Sequence, residues 1–499
     1  TCRYRVTVPP GQRLQQVRKE LDQWFLANTF GQSGIGLATT SAKRADFRKK
    51  QFGGLIQRLF NDLNRRKRQQ FHLCGVDAPP PVFADVLYSE DKGGVCDYCG
   101  KAPADRRDYN GIPCCCLCRD QITLGQQLVK SDALLISRTA VDGDDDQTPL
   151  QLDYLGYRVH FAKLGKQVSR LDLLAERGQL LRLWDFALPQ SGDQPLWRGY
   201  ARRAINSYVP EGDDGEIIDF AALAEKGVQP CSDGDGRCGV AALGILKGDV
   251  DNLGLLFERG MQQPTFARMA ALSRQLNAFF AIWLPYHCQR NAVNTYTVFA
   301  GGDDFFLIGP WLSQIRLVQA MRESFGRYVV NGAIHFSAGL ATTKSNVPVP
   351  ALADMAEQAL EQAKGVAGKN AITCWQRPVS WPLFDEMMQA GEQLENMVVE
   401  LQQQHDITVS TGYLYGLLQL CDKAERARDH PQDAIWNSWF VYRTWRFIVD
   451  RLRDGDDIEQ KRKKLFQEIS VAIGDTIRKN QGDYKIALFT YLYQRRSAE

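Results

Sequence analysis

Phe299-Ala300-Gly301-Gly302-Asp303-Asp304-Phe305-Phe306 places two glycines directly before two carboxylates, with apolar residues on either side. The glycines permit a tight hairpin turn and leave room for a phosphate to approach the backbone. The flanking apolar residues anchor both arms of the hairpin in a sheet. Upstream, Leu243 to Val250 reads as an apolar strand that runs into Lys247-Gly248-Asp249-Val250-Asp251-Asn252-Leu253-Gly254. Period-two alternation puts Asp249 and Asp251 on one face of that strand. Asn252 to Gly254 reads as a turn into a helix, whose free N–H groups suit a triphosphate. Carboxylates that converge from separate strands are what two-metal nucleotidyl transfer requires. One ion acidifies the attacking hydroxyl and the other neutralises the departing pyrophosphate. Asp249, Asp303 and Asp304 are therefore the candidate catalytic residues and Mg²⁺ or Mn²⁺ ligands. Val250, Asp251, Asn252, Gly301, Gly302 and Lys369 are the candidate nucleotide-binding residues. Lys369 lies in Gly368-Lys369-Asn370, before the final strand of this region.

Working outward, the pattern after Asp251 is a helix (Phe266 to Leu284), then the hairpin (Thr295 to Ala300 and Phe305 to Ile308). A helix (Leu312 to Tyr328), a strand (Ala333 to Ala341), a helix (Ala351 to Ala363) and a strand (Ala371 to Trp375) follow. This order predicts an α+β palm, a sheet covered by helices on one face. From about Pro382 onward, Leu, Gln, Arg and Trp at helical spacing predict a helical bundle. Near the start, Ser33 to Thr39 reads as β-rich, and Phe52, Leu55, Ile56, Leu59, Phe60 and Leu63 have helical spacing. Ala78-Pro79-Pro80-Pro81 is a turn-rich break. The run Asp142-Gly143-Asp144-Asp145-Asp146 reads as a solvated turn, since the Glu that closes a calcium loop is missing.

The chain holds 13 cysteines, and six of them fall between Cys96 and Cys118. Cys96-Asp97-Tyr98-Cys99 and Cys115-Cys116-Leu117-Cys118 are two C-x-x-C knuckles, the pattern of a four-thiolate structural Zn²⁺ site. Cys114 and Cys116 sit beside the second knuckle and leave its register open, although only Cys115 and Cys118 keep the spacing. Cys2, Cys74, Cys231, Cys238, Cys288, Cys374 and Cys421 read as ordinary thiols. One tight cysteine cluster without an export signal points to the reduced cytoplasm. No apolar run reaches the ~20 residues of a membrane span. The chain opens on Thr1-Cys2-Arg3 rather than Met, which leaves room for a preceding segment.

At 499 residues the chain is long enough for several domains. Its net charge of +3 excludes a polycation. Between Lys43 and Arg68, however, basic residues outnumber the two acids Asp46 and Asp62, which suits phosphate contacts or a solvated helix face. His405-Asp406 is the one His-Asp pair, and no His/Asp cluster of a metal-dependent phosphohydrolase accompanies it.

Taken together, the C-x-x-C pair, Gly248-Asp249-Val250-Asp251-Asn252-Leu253-Gly254, the 299–311 hairpin, His335-Phe336-Ser337-Ala338-Gly339-Leu340-Ala341 and Gly368-Lys369-Asn370-Ala371-Ile372 resemble the large, polymerase/cyclase-like subunit of type III CRISPR effector complexes. Gly482-Asp483-Tyr484 near the end favours the subtype A (Csm) branch. The resemblance implies two ferredoxin-like, GGDEF-like palm domains, a zinc-bearing linker and a C-terminal helical bundle. The corresponding divisions are 1–90 (a degenerate first palm), 91–238 (linker), 239–380 (catalytic palm) and 381–499. It further implies conversion of ATP to cyclic oligoadenylates on binding of target RNA. The implied partners are a guide RNA, the subunit that binds the guide's 5′ end and the small helical subunit, with no membrane. It also implies roles for Asp249, Asp303 and Asp304 as the metal-binding set. Many members begin with an HD nuclease domain that cuts single-stranded DNA; nothing in these residues matches it. Two other readings are a GGDEF-type cyclase using GTP, which would carry Glu where Asp304 stands, and a non-catalytic scaffold.

Overall fold

The computed structural model describes residues 12–48, 51–69, 81–108, 110–131, 133–137, 150–152, 157–162, 175–185, 196–197, 200–201, 208–212, 215–231, 236–260, 265–453 and 457–496. Lys49, Lys50, Cys2, His72, Cys74, the 78–80 part of the proline turn and the 142–146 run lie outside them. The chain divides into two compact units, one of residues 1–205 and 253–273, the other of 206–252 and 274–499.

The second unit is built on six strands: β1 (Leu243–Val250), β2 (Tyr296–Gly301), β3 (Asp304–Pro310), β4 (Phe336–Thr343), β5 (Ala371–Cys374) and β6 (Arg377–Ser380). They lie in the order β2-β3-β1-β4-β5-β6. Only β4 and β5 are parallel, so they need a crossover, which helix Val349–Lys364 supplies. The hairpin β2–β3 and the central place of β1 follow the predicted element order; β6 is an addition. An added Cβ at Gly339 of β4 would lie 2.2 Å from the Leu360 backbone nitrogen, so only glycine lets that helix cross so close.

Helices cover both faces of this sheet, which corrects the one-face expectation. Leu243, Ile245 and Ile308 pack against Leu352 and Ala356 of the crossover helix and Leu223 and Ala224 of helix Phe220–Glu225. On the other face Phe305 stacks on Phe280 at 5.5 Å, and Phe325 of helix Trp311–Val329 packs on Phe280 and Phe336. The physical sign is in β1 itself: Leu243 to Leu246 are all buried, as a strand covered on both sides must be. The helices Trp381–His405, Thr411–Arg426, Trp436–Arg451, Ile458–Ile469 and Lys485–Arg495 form the predicted C-terminal helical region. Arg377 of β6 ties it to the sheet through Glu425 (2.7 Å) and Asp483 (2.8 Å).

In the first unit, helix Phe52–Lys67 appears where the spacing predicts it, with Phe52, Leu55 and Ile56 buried. Ser33 to Thr39 is not a strand. It packs on that helix instead, with Gly36 against Leu63, and an extended segment without a pairing partner makes no ladder. The basic face is partly neutralised by Arg58–Asp46 (3.3 Å) and Arg65–Asp62 (3.0 Å). Arg66 is buried on Asp22. Among the described residues no strand lies before residue 95. The four-stranded sheet of this unit, ordered Leu150–Leu152, Tyr157–Ala162, Ala133–Ser137 and Leu180–Asp185, falls in the stretch expected to be linker.

Cys231 and Cys238 form a disulfide, correcting their reading as free thiols. The strands Gln229–Pro230 and Arg237–Cys238 pair antiparallel and bring the two Cα atoms to 4.9 Å, within bonding reach. Cys288, Cys374 and Cys421 are buried free thiols.

Candidate active site and metal centre

Asp249 on β1 stands directly opposite Asp304 on β3, so both carboxylates leave the same face of the sheet. Asp303 at the hairpin tip is held to β1 by its carbonyl, which accepts from the Val250 N–H at 2.9 Å. The turn itself uses Gly302 at φ +70°, a left-handed position that suits glycine. Its N–H donates to Asn277 Oδ1 at 2.8 Å, so a helix residue distant in sequence fixes the turn. Gly301 is half-buried, 3.6 Å from the same Asn277 oxygen when a Cβ is added.

The structure adds a cation to the expected set. Lys364, the last residue of the crossover helix, places Nζ 2.8 Å from Asp249 Oδ2. Hydrogen bonding and charge from Asp249 hold its ammonium above the ordinary lysine range, against the opposing effect of burial. Lys247 pairs with Glu357 of the same helix. Sequence spacing points to Lys369 and passes over Lys364. The helical periodicity read over Ala351 to Ala363 stops one residue short, and a lysine in a last turn is commonplace beside a helix dipole.

Burial raises the pKa of Asp303 and Asp304, and the neighbouring carboxylates, Asp249 for both and Asp303 for Asp304, raise it further. Crowded oxygens that resist ionisation are a donor set suited to a divalent cation, which would favour their charged form. Because the folded protein binds these protons more tightly than the unfolded chain, their contribution is greatest at low pH. It is lost as pH rises from 3.8 through the higher folded values. Asp303→Asn is therefore expected to raise the melting temperature of the metal-free protein at neutral pH by a few degrees. A melting curve with no gain, or a loss, would remove the repulsion argument.

The other expected nucleotide-binding residues are placed differently. The Asp251 side chain is 0% exposed, leaving no carboxylate surface for a direct nucleotide contact. Its Oδ2 accepts from Ser337 Oγ (2.9 Å) and the Asn370 N–H (3.0 Å), and His335 Nδ1 lies 2.8 Å away. Val250 is buried. Asn252 is exposed and left-handed at φ +54°. Lys369 is half-exposed in a turn of left-handed residues. No local signal in the sequence joins Asn277, His335 and Ser337 to this site.

In the first unit, the thiols of Cys96, Cys99, Cys115 and Cys118 lie within 4.8 Å of one another. Among the described residues no other group of three or more such ligands gathers so closely, the three aspartates included. Cys114 and Cys116 lie outside this four-thiol group, Cys114 in the short strand Pro113–Cys114 and Cys116 at the start of helix Cys116–Lys130. Cys115 caps that helix, its Sγ accepting from the Cys118 N–H at 3.4 Å. Burial pushes the Cys115 thiol up to about 11. Cys99 is brought down to about 7 by the Ala102 and Lys101 N–H groups, in spite of burial.

A six-stranded sheet with helices on both faces and an Asp-bearing hairpin beside its central strand is a palm domain. Residues 242–373 match the family model "Cas10/Cmr2, second palm domain". The chain is similar to the Cas10/Csm1 proteins of subtype III-A CRISPR systems. It is 24% identical over 528 aligned positions to the Mycobacterium tuberculosis protein named "CRISPR system single-strand-specific deoxyribonuclease Cas10/Csm1 (subtype III-A)", covering 97% of this chain and 58% of that one. The Methanocaldococcus jannaschii protein of the same name is 30% identical over 243, covering 44% of this chain and 29% of its own. The aligned stretches thus span 58% and 29% of these two relatives' lengths. In fold it is similar to Csm1 in a Csm1–Csm4 cassette complexed with pppApA (TM-score 0.60, 17% identity, 97% of this chain and 59% of that one). The same cassette with cA4 gives a TM-score of 0.58 at 18% identity, covering 96% and 60%. Among the described residues no helix is long and apolar enough to cross a membrane.

Proposed function

We propose that the second palm of this chain converts ATP to cyclic oligoadenylates inside a cytoplasmic type III CRISPR ribonucleoprotein, and does so on binding of target RNA. The observation that carries the reading is the pairing of Asp249 with Asp304 across adjacent strands, with Lys364 against Asp249. Mg²⁺ or Mn²⁺ held by Asp249, Asp303 and Asp304 would acidify the attacking hydroxyl and offset charge on the leaving pyrophosphate. The chain's own part is to orient and neutralise. Lys364 offers its ammonium to the phosphates, joined by Lys369 from the following turn. Gly301 and Gly302 leave the backbone open to them, and Asn277 keeps the hairpin from shifting.

The related cassettes solved with one ATP, pppApA and cA4 support an adenine nucleotide as substrate. Those structures support a Csm4-like partner, and the resemblance adds the small helical subunit, guide RNA and target RNA. In this reading residues 239–380 are the catalytic palm and 381–499 the helical domain. The cysteine cluster within 91–238 holds a structural Zn²⁺, with four thiolates and no open position for catalysis.

The test is incubation of the reconstituted complex with each labelled triphosphate, Mg²⁺ or Mn²⁺, and cognate or unrelated RNA, with products read by mass spectrometry. Oligoadenylate from ATP with cognate RNA alone is the expected result. A product from GTP only would transfer the chain to the dinucleotide cyclases, and equal synthesis without target would remove the RNA gate.

A further inference from the structure

The turn Gly368-Lys369-Asn370 joins the crossover helix to β5 with three consecutive left-handed residues, at φ +83°, +55° and +50°. Two of them carry side chains, and such a backbone persists only where its surroundings over-determine it. One residue supplies much of that hold. Asp251 Oδ2 accepts the Asn370 N–H at 3.0 Å, and the same oxygen binds Ser337 Oγ at 2.9 Å and meets His335 Nδ1 at 2.8 Å. The Asp251 N–H donates to the His335 carbonyl at 2.8 Å. Ser337 Oγ in turn accepts the Ala371 N–H at 3.4 Å. The end of β1, the start of β4 and the turn before β5 therefore meet on one buried carboxylate. Two residues upstream of it is Asp249, and at the helix end that enters the turn is Lys364, which Asp249 holds.

We propose that Asp251 is a positioning residue whose buried carboxylate clamps the Gly368-Lys369-Asn370 turn and so sets where Lys369 meets the nucleotide's phosphates. This rests on the nucleotide reading of the site given above. Asp251 touches no reacting atom; it acts through the turn. Asparagine at 251 keeps the size but replaces the charged carboxylate oxygen with a neutral amide oxygen, which accepts the Ser337 Oγ and Asn370 N–H bonds less strongly, so the clamp on Asn370 weakens.

The test uses the full chain and two readouts, hydrogen exchange of the 365–371 amides and the Kd for ATP with Mn²⁺. Asp251→Asn is expected to speed exchange at Asn370 at least about tenfold, the scale of one lost buried hydrogen bond, and to weaken ATP binding about tenfold. Ser337→Ala, a milder change, is expected to move both in the same direction by less, and decides the matter should Asp251→Asn fail to fold. Against a Lys369→Ala background the further effect of Asp251→Asn on ATP is expected to vanish, because coupled residues are not additive. Unchanged exchange in both variants, or an undiminished loss of ATP affinity without Lys369, would overturn the clamp. If the unaltered chain binds no ATP, the nucleotide reading falls on that result, and the clamp's role at the phosphates falls with it. Exchange alone then shows whether the turn is held.

Discussion

Replacing Asp303 and Asp304 together with alanine is expected to lower oligoadenylate synthesis by about three orders of magnitude or more, while the fold survives. Both side chains leave the sheet at the hairpin and each pays for burial in a raised pKa, so their removal relieves repulsion rather than opening a cavity. The two readouts therefore move oppositely: product disappears, and the melting temperature of the metal-free protein holds or rises. Asp249→Ala should share the loss of product, with a further consequence. It strands Lys364, whose ammonium now rests 2.8 Å from that carboxylate, so this variant should gain no stability. Synthesis persisting in the double variant would remove Asp303 and Asp304 from the catalytic set.

The second large effect is expected at the cysteines. Cys118→Ser, or removal of the metal by a strong chelator, should abolish exchange protection across Cys96 to Lys130, while β1 and β4 keep theirs. Burial drives Cys115 and Cys118 toward the neutral thiol, and a bound Zn²⁺ would reverse that by taking thiolates as ligands. Metal-binding free energy of this kind is folding free energy, on the order of 10 kcal/mol in small zinc modules. Four of the five buried residues in its core, Cys96, Cys114, Cys115 and Cys118 beside Ala102, are themselves cysteines, so the metal acts at the centre of the segment's packing. One zinc per chain by elemental analysis is the direct check. Full protection in metal-free protein would show the thiols packing as an ordinary core.

Much of this was legible because the relevant signals are local. A hairpin needs its turn glycines and its carboxylates within a few residues, and a thiolate knuckle needs two cysteines three apart. The succession of strands and helices from Leu243 to Cys374 is likewise written in short apolar periods. The failures have a common cause. Ser33 to Thr39 has strand composition, yet a strand exists only with a partner to pair with, and this segment lies on a helix. Cys231 and Cys238 carry no sign of bonding until two short strands bring them together.

From the order of its residues alone, this chain declares a palm with an Asp-bearing hairpin, a four-cysteine cluster and a helical C-terminal region. Tertiary structure decided what surrounds the carboxylates. Lys364 reaches Asp249 only because the crossover helix returns over β1, and Asn277 reaches Gly302 only by packing of a helix on the hairpin. Asp251, one strand period from Asp249 and expected among the nucleotide-binding residues, is instead buried against His335, Ser337 and Asn370. The reason is physical: a carboxylate's role depends on whether water, a cation or backbone N–H groups surround it, and those neighbours arrive from distant parts of the chain.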